Sequence, residues 1–267
     1  MVMTAPTFWT LDLGNSALKL RERSSLDEGE ATRVTLANDS NLASELRNRL
    51  ERSQLAGIAF SSVASPSVTS ELEELLRQAS PVLVSTTDAL LANESTVPET
   101  VGKDRLFAAL GAIVTLPAEE DSVIVCDAGT ALTVDLVVRR EQPDSVLARF
   151  VGGAIAPGPE LLAGALAAGG ARLFDVGELI AEAESVRALG RDTAGALSSG
   201  VVHGFRGAAR ELVARIAEEV GLQNPPIRMT GGARGLLAGL FAEKRVVEDA
   251  ALVDRGLVAA LARELEG

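Results

Sequence analysis

The same short device occurs twice in this chain. Thr10-Leu-Asp-Leu-Gly-Asn-Ser-Ala-Leu-Lys19 and Val123-Ile-Val-Cys-Asp-Ala-Gly-Thr-Ala-Leu-Thr-Val-Asp135 both read as strand, Asp, one residue, Gly, then Asn or Thr. In the second copy the apolar run Val123 to Cys126 predicts a buried strand that carries Asp127 to its end. The chain turns through Ala128 and Gly129 and leaves on a strand where Leu132, Val134 and Leu136 alternate with Thr133, Asp135 and Val137. Gly129 lets the backbone approach a ligand, and Thr130 adds a hydroxyl and an N–H at the same place. A carboxylate for a cation beside a Gly-Thr turn for phosphate oxygens suits nucleotide chemistry. One such hairpin is equally an ordinary turn built from Asp, Gly and Asn. Two of them, about a domain's length apart, predict two similar lobes.

Composition narrows the partners. The 267 residues allow one large or two small domains, and 47% apolar residues supply a core in which Leu, Val and Ala replace the scarce aromatics. A net charge of −12 argues against a nucleic-acid partner, since little would neutralise a phosphate backbone. It leaves room for a nucleotide held by a few cations and backbone N–H groups. One cysteine excludes a disulfide framework within the chain and any multi-Cys metal site. Residues 1–6 lack a basic region followed by an apolar core, so no signal peptide is expected. Every apolar run is broken well short of a membrane span, and a cytoplasmic location is expected.

Along the chain, strands are expected at 8–13 and 17–23, with Lys19 able to point back toward the turn. Leu42, Leu46 and Leu50 set a helix within 38–52. A strand at 57–63, a loop at Ser65-Pro66-Ser67, a helix at 69–78 and a strand at 81–85 complete an α/β lobe with parallel strands. Asp104 stands at the start of an apolar helix over 106–116. It is either an N-cap or the group that orients a substrate hydroxyl while Arg105 forks an anion. At a helix start its pKa is expected to be low, which phosphoryl transfer tolerates. After a polar turn at 139–145 and a strand at 146–151, Gly152-Gly-Ala-Ile-Ala-Pro-Gly158 reads as a bulge and loop, or as a backbone wall beside a ligand, opening a helix at 160–168. Thr193 is a cap or a ligand, His203 a solvent or interface residue on a helix over 201–220, and Cys126 a core residue. A strand ending in Gly231-Gly232 precedes a helix at 233–241, and a helix over 248–266 (Leu252, Leu257, Leu261, Leu265) crosses back onto the first lobe.

Four elements agree in order and spacing: Asp12-x-Gly-Asn-Ser, Gly102-x-Asp-Arg, Asp127-x-Gly-Thr-Ala-x-Thr-x-Asp135 and Gly152-Gly-x-Ile-x-Pro-Gly158. With the late Thr-Gly-Gly, the whole chain resembles type III pantothenate kinases, within the acetate and sugar kinase, Hsp70 and actin superfamily. The resemblance implies an α/β fold of two ribonuclease-H-like (actin-like ATPase) lobes with a central cleft. We place these at 1–117 and 118–247, the helix 248–267 packing back on the first. It implies transfer of the ATP γ-phosphate to the terminal hydroxyl of pantothenate, the first step toward coenzyme A, in a homodimer. By resemblance, Asp12, Leu13, Gly14, Asn15, Ser16, Ala17, Leu18 and Lys19 would line ATP together with Thr130, and Asp12 would help hold Mg²⁺. Gly102, Lys103, Asp104 and Arg105 would bind pantothenate with Asp104 as proton acceptor, and Thr193 would reach it across the dimer interface. Asp127 would hold a monovalent cation, K⁺ or NH₄⁺.

The family's usual Tyr seven residues before Gly102 is Ser95 here, and Lys103 is bulkier than the common small residue. A lost stacking wall would weaken substrate binding by about 1–3 kcal/mol. This departure keeps two alternatives open: a non-catalytic accessory or regulatory member of the family, and a kinase for another small hydroxy acid.

Overall fold

The computed structural model describes residues 7–27, 31–140, 146–170, 176–177, 186–242 and 245–267. Its first part runs β1 (Thr7–Leu13), β2 (Ala17–Arg23), β3 (Thr32–Ala37), α1 (Leu42–Leu50), β4 (Leu55–Ser62), α2 (Pro66–Ala79), β5 (Leu83–Val84), β6 (Leu91–Asn93) and α3 (Lys103–Val114). It continues with β7 (Ser122–Ala128), β8 (Ala131–Arg139), β9 (Ala148–Pro157), α4 (Pro159–Gly169), α5 (Thr193–Glu219), β10 (Ile227–Thr230), β11 (Val246–Glu248) and α6 (Leu252–Glu266). The chain divides into two units. The first comprises Met1–Leu116, Arg140–Phe150 and Leu252–Gly267, the second Pro117–Arg139 and Val151–Ala251. Residues 140–150 were expected in the second lobe. They cluster with the first unit because Ala148–Phe150 pair in parallel with Leu91–Asn93 of β6.

In the first unit the sheet order is β3-β2-β1-β4-β5. The hairpin strands are antiparallel, and β4 and β5 join in parallel. Period-two alternation sends Trp9, Leu11, Leu18 and Leu20 to one face, where they meet Leu42, Leu46 and Leu50 of α1 and Leu72 and Leu76 of α2. Each such side chain contributes about 1.5–3 kcal/mol. Burial, more than propensity, therefore holds the 9-residue α1, which is too short to be stable alone. The opposite face carries α6. A Cβ on Gly57 would lie 2.9 Å from Leu261 Cδ1, and the Asp254 carboxylate accepts Thr10 Oγ1–H and both Arg23 Nη2 bonds (3.0 and 2.8 Å), with Arg21 Nη1 at 3.3 Å. Helix α3 lies on α6 at a seam of two glycines. A Cβ on Gly111 would overlap the Leu252 carbonyl, and one on Gly256 the Phe107 carbonyl.

The second unit repeats the order about its own hairpin, β9-β8-β7-β10-β11, with β7–β8 antiparallel and β10 and β11 parallel. Ile124, Cys126, Leu132, Val134, Ile227 and Met229 face Phe205, Ala209 and Val213 of α5. Cys126 is fully buried, and burial pushes its thiol up to about 12, which keeps it an unreactive core residue. Two mixed sheets in an α/β chain are the expected class. Among the described residues no helix is long and apolar enough to cross a membrane.

Several expected boundaries move. Ser65-Pro66-Ser67 is no loop: Ser65 stands at the N-cap and Pro66 opens α2 with its preset φ. Gly152 to Pro157 continues β9 instead of looping, Gly152 adopting φ 136° and Gly153 leaving room for the Asp135 carboxylate. Over 233–241 only Arg234–Leu237 coils, as a 3-10 turn, because Gly231 and Gly239 take positive φ around it. Val246–Glu248 is an edge strand and α6 starts at Leu252; Leu265 is exposed beyond the apolar seam. The expected strand at 81–85 shrinks to Leu83–Val84, and the polar turn at 139–145 falls mostly outside the described residues.

Candidate functional site

Within the first unit, β1 and β2 deliver Asp12 and Lys19 to directly opposed positions, and Lys19 Nζ lies 3.5 Å from Asp12 Oδ2. Gly14 N–H closes the turn on the Ala17 carbonyl at 3.0 Å. Asn38, a residue that sequence reasoning missed, clamps it: its Nδ2 donates to the Gly14 and Asn15 carbonyls (both 3.1 Å) and its N–H to Ser16 O (3.0 Å). Asn15 and Ser16 stay exposed, whereas Leu13 and Leu18 sink into the core, so those two leucines offer a ligand only backbone.

Asp104 occupies the first turn of α3, but the N-cap position is Gly102, so the simple cap role is excluded. Its Oδ1 accepts the Arg105 N–H at 2.8 Å. The expected low pKa is overturned. Desolvation by burial raises the Asp104 carboxyl above its ordinary value, outweighing that N–H and the Arg105 charge, which pull it down. Asp12 is raised too, first by burial; Lys19 opposes this and the negative charge of Asp104 adds to it. The two carboxylates thus act on one another within this unit. The Asp104 carboxylate folds back over Gly102, where a Cβ would lie 2.5 Å from Oδ1.

Arg105 lies over the ring of Phe150, its guanidinium carbon 5.3 Å from the centroid. Lys103 turns to α2, its Nζ 3.2 Å from Glu73 Oε1, so the bulky residue has a partner of its own. Ser95 is held locally, its hydroxyl (2.7 Å) and N–H (3.1 Å) both donating to Asn93 Oδ1 just past β6.

In the second unit Asp127 is half-buried at the end of β7, Gly129 N–H bonds the Ala131 carbonyl at 2.9 Å, and Thr130 is exposed. Two glycines grip this turn. Gly158 N–H donates to Thr130 O at 3.0 Å, and a Cβ at Gly158 would strike the Gly129 and Thr130 carbonyls. Gly231, at φ 91°, lies against the Ala128 carbonyl and Asp127 Oδ1 with no space for a side chain. The late diglycine hinted at this frame, but nothing local in sequence linked it to Asp127. Thr193 is exposed as the first residue of α5; the cap is Asp192, whose Oδ1 accepts Gly195 N–H at 2.7 Å. His203 is exposed on the same helix. Among the described residues no three His, Cys, Asp or Glu side chains converge on a metal position.

Each unit therefore offers a carboxylate at the end of a central strand beside a glycine turn, and the first adds a second carboxylate and an arginine at a helix start. The sequence profile of the type III pantothenate kinase family matches residues 8–215. A type III pantothenate kinase of Thermomicrobium roseum is 37% identical over 199 residues, covering 73% of this chain and 71% of that protein. One of Nitrosospira multiformis is 32% identical over 266 residues, covering 97% and 92%. Among solved structures, a ROK family glucokinase of Streptomyces griseus in complex with glucose and AMPPNP superposes with a TM-score of 0.53 at 15% identity, over 98% of this chain and 100% of that one. The ROK hexokinase of Thermus thermophilus gives 0.54 at 13% identity, over 97% and 99%. These two show a shared fold alone, and the sequence matches show the lineage: the chain belongs to the type III pantothenate kinase family, whose members are ATP-dependent kinases.

Proposed function

We propose that this chain phosphorylates the terminal hydroxyl of pantothenate with ATP, and that Asp104 is the proton acceptor. The observation that carries the role of Asp104 is its carboxyl, raised by burial at the start of α3 beside Arg105 and in electrostatic reach of Asp12. A raised pKa makes a better base than a helix-start Asp otherwise offers. As the hydroxyl oxygen bonds to the γ-phosphorus and the bond to ADP breaks, the hydroxyl proton passes to Asp104. Arg105 forks the pantothenate carboxylate, with Gly102 and Lys103 beside it and Ser95 in place of the family Tyr. The backbone of Asp12 to Lys19, with Thr130, lines the ATP phosphates. Thr193 reaches pantothenate from a second subunit.

Asp12 suits Mg²⁺ that arrives with the nucleotide. Because among the described residues no three acidic or His/Cys side chains converge there, Asp12 fits an ion bound mainly by phosphates and water. Asp127, on a turn whose carbonyls face Gly158 and Gly231, suits a monovalent cation, K⁺ or NH₄⁺, through oxygen donors. Bound there, these ions supply charge neutralisation for the polyphosphate, which a chain of net charge −12 otherwise repels. Exposure of Ile155, Leu161, Leu166 and Leu189 in the second unit supports a homodimer that covers them. We place the enzyme in the cytoplasm.

Incubation with pantothenate, ATP, Mg²⁺ and K⁺ tests this reading by the appearance of phosphopantothenate. Turnover that needs both ions is expected. No turnover over a broad range of cations and hydroxy acids would instead favour the accessory member, and turnover of only another hydroxy acid would move the substrate. Gly102→Ala supplies a finer check. The added methyl displaces the tip of the Asp104 side chain without touching backbone, so melting should hardly change while kcat falls by up to about 10²-fold.

A further inference from the structure

We propose that Phe150 is a positioning residue that sets specificity for a carboxylate-bearing substrate, acting through Arg105. The inference rests on the reading of Arg105 as the fork for the pantothenate carboxylate and assigns what holds that fork in place. Phe150 is fully buried, and the Arg105 guanidinium lies over its ring at 5.3 Å, within the range where the ring's negative face attracts the cation. The ring draws the cation through its negative face and is no substitute for the carboxylate that the guanidinium's five N–H donors can fork. It shields one face of the charge from water, which strengthens whatever the N–H edge binds.

Phe150 is itself fixed on two sides. Its position in β9 pairs with Asn93 of β6, and its carbonyl accepts Glu94 N–H at 3.0 Å. Arg149 closes the strap with an ion pair to Glu94 at 3.1 Å. The strap ends at Ser95, where an aromatic wall for the substrate is lacking. The aromatic contact this region keeps is made to the arginine. Recognition of the substrate's acid end therefore carries the discrimination that a stacking wall otherwise shares.

The experiment measures KM and kcat for pantothenate and for its neutral analogue bearing –CH₂OH in place of the carboxylate. It compares wild type, Phe150→Leu, Phe150→Met (which keeps most of the volume with no ring), Arg105→Lys and the Phe150→Met/Arg105→Lys double variant. The KM for pantothenate should rise about 5- to 20-fold in the Phe150 variants with kcat nearly constant. The neutral analogue should be handled as by wild type, and the double variant should be no worse than Arg105→Lys alone. Equal losses for both substrates, or losses that add fully in the double variant, would overturn the proposal and leave Phe150 a packing residue. Unchanged discrimination would overturn it too. If Phe150→Leu does not fold, the Met variant carries the comparison. Failure of the function itself reads differently, as absent turnover and absent calorimetric binding of pantothenate by wild type.

Discussion

Asp104→Asn is expected to reduce kcat by about 10²–10⁴-fold while leaving the protein as stable as wild type or more so. The two effects have one origin. Burial disfavours the charged carboxylate, so the folded state holds the Asp104 proton more tightly than the unfolded chain does. Stability is then lost as pH rises from the unfolded pKa through the higher folded one, and the deficit persists at neutral pH. An amide removes that deficit, and its oxygen still accepts the Arg105 N–H. Wild-type activity should show an acid limb displaced upward from the ordinary aspartate range of about 4. The variant should lack that limb in whatever activity remains. Melting curves at pH 7 and a pH profile of kcat/KM check both; a clear drop in melting temperature would contradict the assigned burial cost.

Asp254→Ala is expected to destabilise the protein by about 3–5 kcal/mol, since it strands two poorly exposed guanidinium groups, Arg21 and Arg23, and the Thr10 hydroxyl. Asp254→Asn keeps the size and an acceptor but not the charge, so it should fall between. Denaturant midpoints for the three proteins give the answer. Because Arg21 also lowers the Asp12 carboxyl pKa, a shift in the Mg²⁺ dependence of the Asn variant is expected alongside. Indifference of the midpoint to either substitution would mean that the apolar contacts of α6 alone secure it.

The hairpins were legible because their signal is local. Alternation in β2 and β8, the apolar run of β7 and a Gly turn in each pair mark β1–β2 and β7–β8 without reference to the rest of the chain. β3 was missed because only Val34 and Leu36 alternate inward among Thr32, Arg33 and Thr35, too short a period to stand out as a strand. What depends on distant packing was lost. The environment of Asp104 is set by surrounding burial, which no helix-start rule contains. The frame around Asp127 comes from Gly158 and Gly231, and the clamp on the first turn from Asn38. Glycines misled in both directions: at 152 and 153 they continue a strand, and at 239 one interrupts an expected helix.

The seam between Gly111 and Gly256 has a further consequence for biogenesis. All of the second unit is translated between its two halves. A ribosome that has made α3 must finish another globule before α6 emerges to dock. Until then the apolar side of Phe107 to Ile113 waits without its cover. Closing so long a loop is slow, so the nascent first unit is the stage at which this protein is most exposed to aggregation and most dependent on chaperones.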